Sequence, residues 1–231
     1  MPTFKFFDLN VHAYPETEVP VEELIRVARR YGYAGIAITS YDEVVKGKEG
    51  VQLPPSVANF AFRGIEIRAK SVSELKRRIR LYYGKVPLIV VRGGSKELNE
   101  AALKNPMVDV FAPPYGEHEK VGLTHVLVRY AAENDVAIEF NLNAIIHSRR
   151  SDRARILGKM REILKFVRKY KAMPVITSNA RSICDLRAPR EMVALASLFG
   201  MQKEEAVHAL SDIPEGILEK KWKKRREVEI I

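Results

Sequence analysis

A chain of 231 residues, 46% of them apolar, can bury one sizeable α/β core unaided, and its single cysteine, Cys184, excludes a disulfide framework. The formal net charge of +10 is concentrated in two places: residues 149–171 hold ten basic and two acidic side chains, and residues 219–231 hold six basic and three acidic. A basic excess confined in this way points to a polyanion-binding face on a near-neutral body, set against the plainer reading of a solvated helix and a ragged tail.

Along the chain, Met1-Pro2-Thr3-Phe4-Lys5 leads into no long apolar stretch, so neither a signal peptide nor a membrane span is expected, and a cytoplasmic protein is. Seven short apolar runs then read as strands, at 4–9, 35–39, 60–68, 86–91, 108–112, 136–142 and 174–177. Helical patterns separate them. Leu24, Val27 and Ala28 share a face within 21–31, and Ser71-Val72-Ser73-Glu74 is a capping box opening the helix after strand 3. Between 151 and 170, Ile156, Met160, Ile163, Leu164 and Val167 recur at three- and four-residue steps and predict a buried stripe. Seven β-then-α units imply an α/β fold, a TIM-barrel-like (βα)7 parallel barrel over residues 1–218, followed by a basic tail over 219–231. The absence of a glycine-rich loop after strand 1 argues against an open doubly wound sheet.

Barrels place functional pockets at the C-terminal ends of their strands, and several strands here turn polar at that end. Strict alternation in strand 1 sets Phe4, Phe6, Asp8, Asn10 and His12 on one face and Lys5, Phe7, Leu9 and Val11 on the other. Strand 3 ends with Glu66 and Arg68 on one face, and strand 6 alternates Glu139, Asn141 and Asn143 against Phe140 and Leu142. Strand 4 runs into Arg92-Gly93-Gly94-Ser95, where backbone N–H groups could hold a phosphate, although a plain turn accounts for the glycines too. His12 and Glu66 could meet at the mouth, joined by His118 or Asp42, but Asn10, Ser40, Tyr41, Asn141, Asn179 and Arg181 fill the neighbouring positions. Amides and a cation make poor ligands for a divalent metal, so His12 reads as a hydrogen-bonded remnant and no metal is expected.

The same residues carry a family resemblance. Asp8-Leu9-Asn10-Val11-His12, Ile38-Thr39-Ser40-Tyr41, Gly64-Ile65-Glu66 and Ser178-Asn179-Ala180-Arg181 resemble four motifs of the polymerase-and-histidinol-phosphatase superfamily. Those motifs read Asp-Leu-His-x-His, Ile-Thr-Asp-His, Gly-x-Glu and Ser-Asp-Ala-His. Of the metal ligands so implied, His12 and Glu66 remain, while Asn10, Ser40, Tyr41, Asn179 and Arg181 replace the others. From Asp8 to about Leu218 the chain resembles one branch, the ribonuclease P protein component 3 family of archaea and eukaryotes. The likeness is most specific in Ala137-Ile138-Glu139-Phe140-Asn141-Leu142, in the arginine-rich residues 149–155, and in Leu186-Arg187-Ala188-Pro189 with Leu198-Phe199-Gly200.

The resemblance implies a subunit without catalytic residues of its own. It would bind and stabilise the ribonuclease P RNA, which removes 5′ leaders from precursor tRNA. It would bind no cofactor, Mg2+ belonging to the RNA catalyst. Its expected partners are that RNA, precursor tRNA as the substrate of the holoenzyme, a small partner protein and further protein subunits, with no membrane. Phosphate contacts are assigned to Arg68, Arg92, Arg149, Arg150, Arg153, Arg155, Arg181 and Arg187, with Lys220, Lys221, Lys223, Lys224, Arg225 and Arg226 of the tail. Residues 149–155 are expected to join Arg181 and Arg187 in one basic strip across adjacent strand ends. The alternatives are an active metal-dependent phosphoesterase using His12 and Glu66, and a scaffold whose basic face binds an acidic protein.

Overall fold

The computed structural model describes residues 4–45, 52–115 and 123–221, with backbone alone at 220 and 221. The seven runs form one parallel sheet in sequential order: β1 (Phe6–Val11), β2 (Tyr33–Tyr41), β3 (Ala61–Ile67), β4 (Leu88–Arg92), β5 (Val110–Ala112), β6 (Ala137–Asn141) and β7 (Pro174–Thr177). Helices α1 (Val21–Arg30), α2 (Asp42–Val45), α3 (Val72–Tyr82), α4 (Lys96–Leu103) and α5 (His125–Glu133) follow strands β1 to β5 in turn. Helix α6 (Asn143–His147) and the long α7 (Arg150–Tyr170) follow β6. After β7 come α8 (Pro189–Ser197), α9 (Lys203–Leu210), α10 (Asp212–Glu215) and a π-helical turn over Gly216–Lys221.

The outer face of the sheet carries Ile65, Ile89, Phe111, Ile138 and Ile176 against the helices. Ile156, Met160, Ile163, Leu164 and Val167 of α7 are buried in that layer, as their spacing predicts. Ser71 caps α3 by accepting the Glu74 N–H, while the Glu74 carboxylate reaches past Ser71 to the N–H of Lys70 at 2.8 Å, a variant of the predicted box.

The inner face is built from Phe7, Leu9, Leu88, Val90, Val110, Ala137 and Val175. Ile217 and Leu218 pack into the same cluster, so the C-terminal turn stoppers the N-terminal end of the barrel.

Strand β1 departs from simple alternation. Asp8 pairs with Ile36 and Val11 with Ile38, so β1 carries one extra residue between those pairs. This bulge turns both Leu9 and Asn10 inward and leaves Asp8 on the outer side. The expected face of Phe4, Phe6, Asp8, Asn10 and His12 therefore splits: Asn10 and His12 enter the mouth, whereas Asp8 does not. Thr39 donates its hydroxyl to the Leu9 carbonyl at 3.0 Å. Gly64 leaves room for that hydroxyl, because a Cβ there would lie 2.7 Å from Thr39 Oγ1.

Asp8 instead closes the barrel. Strand β1 meets the segment just past β7 in an isolated bridge, Val11 with Ala180, where His12 N–H donates to the Ala180 carbonyl at 2.8 Å. Beside it the Asp8 carboxylate accepts the Ser178 N–H on both oxygens at 3.2 Å and the Asn10 N–H at 3.2 Å. Burial pushes the Asp8 carboxyl up to about 6, against the pull of these donors.

Truncating Ile217 to alanine should lower unfolding free energy by about 2–5 kcal/mol, since the stopper cannot collapse into the rigid sheet. Denaturant titration checks this; a change below about 0.5 kcal/mol would mean that the turn only rests on the barrel.

Candidate functional site

At the C-terminal ends of the strands the inward positions become polar, and their side chains form one connected network. Glu139 is fully buried on β6 and accepts hydrogen bonds from Thr177 Oγ1 at 2.6 Å and Asn10 Nδ2 at 2.9 Å. Burial pushes its carboxyl up to about 7, with these donors opposing the rise. The same Asn10 amide lies 3.5 Å from Glu66, which has no exposed surface. Arg68 Nε approaches Glu66 Oε1 at 3.3 Å and Arg92 Nη1 approaches it at 3.9 Å.

Tyr41 stands between two guanidiniums. Arg68 lies over its ring at 3.5 Å from the centroid, and Arg181 donates to its hydroxyl at 2.9 Å. Arg181 also donates to Glu16 Oε1 at 3.0 Å, and Glu16 Oε2 accepts the Tyr41 N–H at 3.0 Å. Burial raises the Glu16 carboxyl, but the nearby His12 ring, the Tyr41 N–H and Arg181 together hold it below its usual value. His12 lies with Nδ1 3.0 Å from Glu16 and Nε2 3.4 Å from the Asn179 amide. Asn179 reaches this position from a left-handed backbone, φ 48, which asparagine tolerates.

These residues do not fit the metal cluster that the superfamily resemblance implies. A metal needs converging lone pairs, yet the space around Glu66 is taken by an amide nitrogen and two guanidiniums. Asp42 is engaged by Arg78 at 2.7 Å, and Ser40 pairs with Ile65 on the helix-facing side. His118 lies outside the described residues. Among the described residues no three His, Cys, Asp or Glu side chains are grouped to hold a metal ion.

The structure separates the predicted phosphate contacts into groups. Arg68, Arg92 and Arg181 converge at the mouth, with side chains 39%, 32% and 43% exposed. Arg149 and Arg150 are exposed where α7 begins. Arg153 instead folds back on the end of α6, donating to the carbonyls of Ile145 at 3.1 Å and Ser148 at 2.6 and 3.0 Å. Arg155 pairs with Asp152 at 3.2 Å. Farther along α7, Arg168 and Arg161 tether the Leu198–Glu205 region through Gly200, Glu205 and Leu198.

Arg187 corrects the expectation of a continuous strip. It binds the carbonyls of Cys184 and Leu186, and its own carbonyl accepts the hydroxyl of Tyr33, the first residue of β2. The chain has by then descended towards the N-terminal end of the barrel, away from Arg181. The Gly93 and Gly94 N–H groups are also engaged, by the Ala112 carbonyl and Asn99 Oδ1, so a plain turn is what those glycines make. The side chains of Lys220 and Lys221, and Lys223, Lys224, Arg225 and Arg226 entirely, lie outside the described residues. Sequence reasoning missed Glu16, whose one signal is its spacing of four residues from His12.

Residues 5–226 match the family described as RNase P subunit p30. The ribonuclease P protein component 3 of Methanococcoides burtonii is 40% identical over 217 residues, 94% of this chain and 88% of that protein. That of Methanothermobacter thermautotrophicus is 36% identical over 220 residues, 93% of this chain and 89% of that protein. A chain in the cryo-EM structure of archaeal ribonuclease P with mature tRNA superposes with a TM-score of 0.74 at 23% identity, covering 97% of this chain and 93% of that one. The histidinol phosphate phosphatase of Lactococcus lactis, complexed with zinc, L-histidinol and phosphate, superposes at 0.57 with 11% identity, covering 91% and 98%, so the two share the barrel fold.

The raised Glu139 carboxyl has a consequence for stability. Between its ordinary value of 4.5 and about 7 the folded chain holds a proton that the unfolded chain has released. That contribution is complete below pH 4.5 and is lost as pH rises through 7. Glu139→Gln keeps both acceptor contacts without the charge, so its melting temperature should fall less between pH 5 and pH 8 than that of the wild type. Parallel pH profiles for the two proteins would show that the Glu139 proton is not linked to folding.

Proposed function

The chain belongs to the RNase P subunit p30 family, and from that membership we propose that it is a protein subunit of ribonuclease P, which removes 5′ leaders from precursor tRNA. Its part is to bind and stabilise the RNA, which carries the catalysis. The observation that carries the non-catalytic reading is the mouth itself: Glu66 is neutralised by Arg68 and Arg92, and an asparagine amide bridges it to Glu139. Such a site offers neither an activated water nor an open metal position. Mg2+ belongs, in this reading, to the RNA catalyst.

Affinity comes from phosphate neutralisation. The exposed Arg149 and Arg150 at the head of α7 and the cluster of Arg68, Arg92 and Arg181 supply two contact regions on the C-terminal side of the barrel. The partners in this reading are the ribonuclease P RNA, precursor tRNA within the holoenzyme, a small partner protein and further subunits. No helix among the described residues is long and apolar enough to cross a membrane.

Two arginines separate RNA contacts from structural ones. Arg149→Gln should leave the melting temperature in place and reduce the magnitude of the logarithmic salt slope of RNA binding by roughly 0.7–0.9. Arg153→Gln should instead cost about 0.5–1.5 kcal/mol of stability, because exposed, water-replaceable bonds to the carbonyls at the end of α6 are lost. The rival reading, a metal-dependent phosphoesterase, requires the purified chain to hold zinc or manganese through His12 and to turn over a generic phosphoester. The expected result is neither. Stoichiometric metal lost in His12→Ala would overturn the proposal.

A further inference from the structure

The turn that follows β1 carries a feature that the mouth network does not use. Tyr14 is 65% exposed, the most exposed large apolar side chain among the described residues. It lies in the turn fixed by the Tyr14 N–H to Val19 carbonyl and Glu16 N–H to Ala13 carbonyl hydrogen bonds, at 2.8 and 3.0 Å. Two residues on, the carboxylate of Glu16 grips Arg181 and the Tyr41 backbone inside the mouth. An exposed aromatic side chain thus sits two residues from a carboxylate bound into the arginine cluster, on a turn anchored to that cluster.

The three guanidiniums are close together. Arg68 and Arg92 both lean on the same Glu66 oxygen, and Arg68 and Arg181 both lie against the Tyr41 ring. They outnumber the two carboxylates they touch, Glu66 and Glu16, and each is partly exposed. A cluster gathered around one tyrosine suits a single phosphate group, in contrast to the row of cations that follows a duplex backbone. An exposed tyrosine can stack only on a base whose face is open, which a paired base inside a helix does not offer.

We propose that the mouth and its rim hold a single unpaired nucleotide of RNA, its phosphate on Arg68, Arg92 and Arg181 and its base against Tyr14. This rests on the RNA-binding reading above and specifies the element bound: a bulged, looped or terminal nucleotide. Stacking is nearly independent of salt, whereas phosphate contacts are not, so the two halves of the receptor have separate signatures.

The test titrates the full chain onto ribonuclease P RNA in the presence of the other protein subunits, across a range of monovalent salt. Tyr14→Ala should weaken binding about tenfold with an unchanged salt slope, and Tyr14→Trp should restore it. Arg181→Gln should lower the magnitude of the slope by about 0.7, the increment for a single-stranded contact. The Tyr14 side chain is exposed, so its removal tests the proposal even if Arg181→Gln perturbs folding. Wild-type affinity and slope in both variants would overturn the proposal alone. If Tyr14→Ala leaves RNA affinity intact but prevents assembly with another subunit, the rim is a protein-docking surface and the proposal falls. Failure of the wild-type chain to bind the RNA would instead remove the RNA-binding reading, and this inference with it.

Discussion

A carboxylate with no exposed surface needs a counter-charge or a proton, because water no longer solvates it. Glu66 and Glu139 stand side by side in a barrel closed on nearly every side, and each meets that need differently. Arg68 and Arg92 face Glu66, while Glu139 is raised to about 7 and leans on Thr177 and Asn10. Here side chains of the protein do the neutralising. The consequence reaches outward: arginines committed at the bottom of the mouth must extend to its surface, where their remaining donors meet solvent.

Closure of the barrel depends on a comparable substitution. Most neighbouring strands are joined by ladders of several residues, but β1 meets the segment past β7 in one isolated bridge, and beside it Asp8 accepts the Ser178 N–H. Asp8 faces outward between the inward Phe7 and Leu9, and the bulge that follows it brings Asn10 inward as well. One inserted residue thus lets adjacent segments of β1 serve both the seam, through Asp8, and the carboxylate pair, through Asn10.

Period-two and period-3.6 patterns made seven strands and the α7 stripe legible, since both reflect which side chains must leave water. The polar strand ends marked the mouth, and the replaced ligands marked it as a poor metal site. The bulge was illegible because Phe6-Phe7-Asp8-Leu9-Asn10-Val11 alternates acceptably with or without it. Arginine roles were illegible for another reason. Arg149 and Arg153 are the same residue type four positions apart, yet one points to solvent and the other caps α6. Nor does the sequence reveal how far the chain travels between Arg181 and Arg187, which sets them towards opposite ends of the barrel.

A basic sequence segment is therefore not simply a row of uncommitted cations: Arg153, Arg161 and Arg168 are exposed yet bind the protein's own carbonyls and carboxylate. On the proposed reading, the phosphate contacts fall to the partly exposed arginines at the mouth and to Arg149 and Arg150 at the head of α7. The most direct measurement is the magnesium dependence of precursor tRNA cleavage by ribonuclease P RNA with its other subunits, assembled with and without this chain. The account predicts that the chain lowers the magnesium needed for half-maximal cleavage several-fold, while the chain without RNA cleaves nothing. Identical magnesium curves, or cleavage by the protein in the absence of the RNA, would contradict it.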